Sequence, residues 1–143
     1  MIVTSIKPLR ESAVRFQILA GAAAGGFPSP AADYYESPLS LDELLNVKAP
    51  HIWIVEVEGE SMTGVGIYPG SRLIVDRSIE PRPGRIVLAY VDNQPIVKRL
   101  ARLGDRLVLV SENPAYPPVV PEDFADIDIF GVVTWCINAL CVH

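Results

Sequence analysis

Residues 85–100 read RIVLAYVDNQPIVKRL. Two apolar runs, Arg85 to Val91 and Pro95 to Leu100, flank Asp92-Asn93-Gln94, and that pattern predicts a β-hairpin. The same grammar recurs on either side. Ile52 to Val57 alternates after an apolar start, and Arg72 to Val75 is a short apolar run. Leu103-Gly104-Asp105 turns the chain into Leu107 to Val110, and Asp126 to Ile137 makes a last long strand. Short strands, close turns and no βαβ rhythm predict a compact, mostly-β domain of antiparallel strands. One short helix interrupts it. Ser40-Leu41-Asp42-Glu43 reads as a capping box, Leu41, Leu44 and Leu45 supply an apolar face, and Pro50 bars continuation.

Upstream the pattern weakens. Residues 1–25 read as an arm that runs into Gly21-Ala22-Ala23-Ala24-Gly25-Gly26, with little side chain to pack and high backbone freedom. The arm is expected to be exposed and flexible. Phe27-Pro28-Ser29-Pro30 then extends the chain, because each proline fixes its own φ and restricts the residue before it. The expected plan is an arm over residues 1–25, a linker over 26–39 and a β-rich domain over 40–143.

The 143 residues carry 17 acidic and 12 basic side chains, a net charge of −5. That balance argues against autonomous nucleic-acid binding, which neutralises phosphates with Lys and Arg. The charge is unevenly spread: Lys7, Arg10 and Arg15 against Glu11 give the first 25 residues +2, leaving −7 on the remainder. The longest uncharged stretches, Phe16 to Ala32 and Ile129 to Val142, hold two prolines in one case and are too short in the other for a membrane helix of roughly 20 residues. Arg15 and the apolar residues after it imitate a signal peptide, but about five apolar residues fall short of the roughly 7–15 expected. Cys136 and Cys141 fit no zinc spacing and read as buried, reduced thiols, consistent with the cytoplasm. No metal or cofactor motif is present, and His51 and His143 are poorly placed for a triad.

Two residues invite chemistry. Ser61 lies in Gly59-Glu60-Ser61-Met62 just after a strand, where the glycine permits a sharp turn and a serine hydroxyl stands beside backbone N–H groups. The plain alternative is a serine that caps a turn. Lys98 shares a strand face with Ile96 and Leu100, and an apolar surround lowers an ammonium pKa. At an ordinary pKa only about one lysine in 2,500 is neutral at pH 7, so burial is what would make it a base. The plain alternative is a snorkelling surface lysine.

Gly26-Phe27-Pro28-Ser29-Pro30-Ala31-Ala32-Asp33-Tyr34, Gly59-Glu60-Ser61-Met62, Val97-Lys98-Arg99-Leu100 and Phe130-Gly131-Val132-Val133 together resemble the LexA/UmuD family of self-cleaving serine peptidases. The resemblance spans residues 26 to 135 in order, and the Phe-Pro-Ser-Pro block is similar to the UmuD branch. It implies a LexA/UmuD-type peptidase fold and a Ser–Lys dyad, with Ser61 as nucleophile and Lys98 as neutral general base. It also implies a homodimer that a RecA–single-stranded DNA filament stimulates to cut off its own arm. The trimmed dimer then serves a UmuC-type Y-family polymerase in translesion synthesis. Register from Phe27 puts the scissile bond at Gly25–Gly26; residue type puts it at Ala24–Gly25. The rival from another class is a non-catalytic β module that binds a polymerase or a RecA filament.

Overall fold

The structure, a computed structural model, describes residues 1–9, 15–16, 39–47, 50–117 and 127–141. The chain divides into two units, one of residues 1–9 with 51–143 and one of residues 10–50.

The first unit is a closed antiparallel barrel. Its strands are β1 (Ile2–Pro8), β4 (Ile52–Glu58), β5 (Arg72–Asp76), β6 (Ile86–Val91), β7 (Gln94–Leu103) and β9 (Ile127–Ile137), with β8 (Arg106–Val110) added to β7. Around the ring the order is β1-β4-β5-β9-β6-β7, and a pairing of Ile2 with Ile96 closes it. The mostly-β architecture of short antiparallel strands is therefore the one expected. The β6–β7 hairpin turns where predicted, with Val91 opposite Gln94. Asp92 and Asn93 both take positive φ, 50° and 64°, as a two-residue turn matched to strand twist requires.

Period-2 alternation sorts the side chains onto two faces. Leu88 joins Val55, Val57, Met62, Leu73, Val75 and Val97 in one cluster, while Val87 and Ala89 join Leu100, Leu109 and Val132 in the other. Each fully buried aliphatic side chain contributes about 1.5–3 kcal/mol, so two such clusters can hold costly polar groups between them. Gly131 marks a tight crossing: a Cβ there would lie 2.7 Å from Val75 Cγ1.

Three expectations are corrected. The first residues are not a loosely patterned arm, because Ile2–Pro8 pairs along β4 from Glu58 to Trp53. The exposed end of β9 carries Cys136 out of the core, and Cys141 lies past the end of that strand, so both thiols are free and exposed rather than buried. In the second unit, α1 (Leu41–Leu44) starts at Ser40, but Ser40 belongs to the short pairing of β2 (Arg15–Phe16) with β3 (Leu39–Ser40) and its side chain makes no cap bond. Leu41 and Leu44 are exposed, while Asp42 is buried. Among the described residues, no helix is long and apolar enough to cross a membrane.

Candidate active site

β4 delivers Ser61. The strand ends at Glu58, Gly59 turns at φ 100°, and the fully buried Met62 anchors the chain before a single 3₁₀ turn over Thr63–Val65. Ser61 is only 1% exposed. β7 delivers Lys98 at the point where its edge changes partner. Ile96 faces Ile2 of β1, whereas Arg99 faces Val110 of β8. Lys98 thus sits in the gap between the start of one strand and the end of another, and is 6% exposed.

The two candidates meet there. Lys98 Nζ donates to Ser61 Oγ at 2.8 Å across 37 residues of sequence, and to Ser111 Oγ at 2.8 Å. Burial pulls the Lys98 ammonium below its ordinary 10.5, an effect opposed by a hydrogen bond with the chain's α-amine. That amine, on Met1, also donates to Ser61 Oγ. A hydroxyl flanked by an amine of lowered pKa in a largely apolar surround can be deprotonated as it attacks a carbonyl.

Sequence reasoning missed the segment that clasps these parts together. Ser111 holds Lys98, and the Glu112 carbonyl accepts from Gly64 N at 2.8 Å. The Glu112 carboxylate pairs with Arg99, and Asn113 Nδ2 donates to the Glu60 carbonyl at 2.9 Å. Residues 111–113 therefore tie the serine turn to the lysine strand. The only signal in the sequence is a polar Ser-Glu-Asn-Pro run directly after an apolar strand.

Two of the remaining candidates stand apart from this cluster. His51 is exposed ahead of β4, and Asp76 accepts from Ser78 N at 2.8 Å in a turn. Ala24, Gly25, Gly26 and His143 lie outside the described residues. Among the described residues, no group of three His, Cys, Asp or Glu side chains is placed to hold a metal.

Comparison with known proteins gives the chain a family. Residues 17–134 match the Peptidase S24-like family. Protein SamA of Salmonella typhimurium is 42% identical over 113 residues, covering 79% of this chain and 78% of its own. Protein ImpA of Escherichia coli is 40% identical over 114 residues, covering 79% and 77%. The LexA repressor of Bordetella avium is 34% identical over 125 residues, 87% of this chain but 58% of the repressor.

Proposed function

The chain belongs to the Peptidase S24-like family of self-cleaving serine peptidases, in its UmuD-like branch, and on that premise we propose that Ser61 and Lys98 are its catalytic dyad. The observation that carries the reading is the 2.8 Å contact between Lys98 Nζ and Ser61 Oγ with both residues buried. Neutral Lys98 takes the Ser61 proton as Oγ attacks the carbonyl carbon of residue 25. The resulting ammonium returns that proton to the nitrogen of residue 26 as the peptide bond breaks. A water, deprotonated by Lys98, then hydrolyses the ester on Ser61 and releases the arm with a free carboxylate.

Residues 1–25 are the removable arm and 26–39 the linker in this reading. Gly25–Gly26 is the scissile bond because reach to Ser61 is set by register from Phe27, with Ala24–Gly25 as the alternative. The biological setting is the cytoplasm. There a RecA–single-stranded DNA filament promotes cleavage of a homodimer, and the trimmed dimer joins a UmuC-type polymerase for error-prone synthesis in the SOS response. The net charge of −5 suits a protein that reaches DNA through such partners rather than by itself.

Incubation at about pH 9–10, where more Lys98 is neutral, should cut the purified chain slowly without any partner. Ser61→Ala and Lys98→Ala should each abolish the cut, and the intact masses of the fragments identify the bond. A wild-type chain that stays whole there, and also with RecA, ATP and single-stranded DNA, would leave the non-catalytic module as the better reading.

A further inference from the structure

A third polar group occupies the site. The α-amine of Met1 donates to Ser61 Oγ at 2.6 Å. Met1 is held from several sides: its carbonyl accepts from Val97 N at 3.0 Å, and it is 6% exposed. Its neighbour Ile2 pairs with Glu58 of β4 and with Ile96 of β7. Gly59 lies against it: a Cβ added there would sit 3.7 Å from Met1 Cα, an ordinary packing distance. Behind it, Val3 and Ile6 pack on the barrel core.

This arrangement has the form of a peptidase with its product still bound. When a serine peptidase cuts an extended backbone, the segment on the departing side is left with a new amine next to the nucleophile. Edge hydrogen bonds to neighbouring strands are the usual grip on such a segment. Here the Met1 nitrogen stands beside Ser61, and residues 2–8 lead away from it along β4.

We propose that the channel between β4 and the first half of β7 is the leaving-side peptide groove of this peptidase. Its ligand is an extended segment with a free primary amine at Ser61, and in the uncut chain the first strand fills it. The proposal rests on Ser61 being the nucleophile. It follows that the scissile segment reaches Ser61 only after Met1 has withdrawn. Burial and the neighbouring Lys98 lower the Met1 amine from 8.0 to about 5, so the docked amine is neutral near pH 7 and places no second cation beside the lysine. A strand with only a structural part in the barrel would have no need to bury its amine against a serine hydroxyl.

The test is the rate at which a fluorophosphonate labels Ser61 in the full chain at about pH 8, with Ser61→Ala as the blank. Val3→Asp with Ile6→Asp removes the anchors of the first strand and leaves the dyad intact. Labelling should rise by about tenfold or more if the docked state dominates. A free-amine peptide of residues 1–9 should slow it again, and the same peptide acetylated at its amine should not. A second chain, unaltered except for Gly-Ser placed ahead of Met1, should also label faster and serves if the double variant fails to fold. Equal labelling of the wild type and the altered chains overturns the groove and leaves the nucleophile standing. No labelling of Ser61 in any chain overturns both.

Discussion

Ser111 Oγ accepts a hydrogen bond from Lys98 Nζ at 2.8 Å, the same length as the bond from Lys98 to Ser61. Lys98 is thus held between two hydroxyls. One belongs to the proposed nucleophile, and the other follows β8 and lies on the segment that clasps the serine turn. A long flexible side chain aimed at a nucleophile loses efficiency when one of its restraints goes.

Ser111→Ala should therefore slow self-cleavage by about 3–10-fold, the worth of one neutral hydrogen bond. Ser111→Thr keeps the hydroxyl and should recover most of the rate; Ser111→Val, of the same shape as Thr, should not. Full activity in the valine variant would show that Ser111 only fills space.

The lowered Lys98 pKa gives a signed pH dependence. Below the lowered value the folded chain carries a buried cation; between it and 10.5 the folded chain has released a proton that the unfolded chain keeps. Folding stability should therefore rise with pH through that window, whereas self-cleavage should rise only up to the lowered value and level off above it, where the folded chain's amine is already neutral. Lys98→Met should remove both dependences. It should lower the rate by about three orders of magnitude or more. It should also stabilise the fold by about 1–2 kcal/mol near neutral pH, as replacement of a strained functional group commonly does. Chemical denaturation of the two chains across the pH range is the measurement.

Gly64 joins the clasp to the serine turn. A Cβ at this position would run into the Glu112 carbonyl, the same carbonyl that accepts from Gly64 N. Both sides of the contact are backbone, so neither can swing away. Gly64→Ala should cost about 1–3 kcal/mol and slow cleavage together, by pushing residues 111–113 off the turn. Gly66, at φ 82° with nothing within 4 Å of an added Cβ, is the control. Gly66→Ala should show only the backbone cost of about 1–2 kcal/mol.

The contrast between what the sequence discloses and what it hides follows from how local each signal is. The β6–β7 hairpin is legible because Asp92 and Asn93 accept positive φ and the flanking residues alternate over consecutive positions. Ser61 and Lys98 are visible as residue types, yet their pairing depends on β7 changing partner between Ile96 and Arg99, which no run of residues encodes. β1 is obscured by its register shift between Val3 and Ser5, which puts Val3 and Ile6 against the core three residues apart and breaks the period of two. Ser111 has no pattern of its own. The exposure of the cysteines is hidden for the opposite reason: β9 alternates and is rich in apolar residues, but its last residues, Cys136 among them, are exposed, and Cys141 lies past its end.

The Met1 amine supplies the last prediction. Docked beside Ser61 its pKa is about 5, against 8.0 when free, because burial and then Lys98 disfavour the charged form. Above 8.0 both forms are neutral and docking is at full strength. As pH falls toward 5 the free amine takes up a proton that the docked amine refuses, so docking weakens, by up to about tenfold per pH unit. Amide exchange in residues 2–6, corrected for the intrinsic pH dependence of exchange, should show protection falling steadily across that window. Acetylation of the amine should flatten the profile and lower protection throughout, since the acetyl group removes the titration and adds bulk against Ser61. A protection profile independent of pH in the unmodified chain would mean that the amine is not buried at the serine in solution.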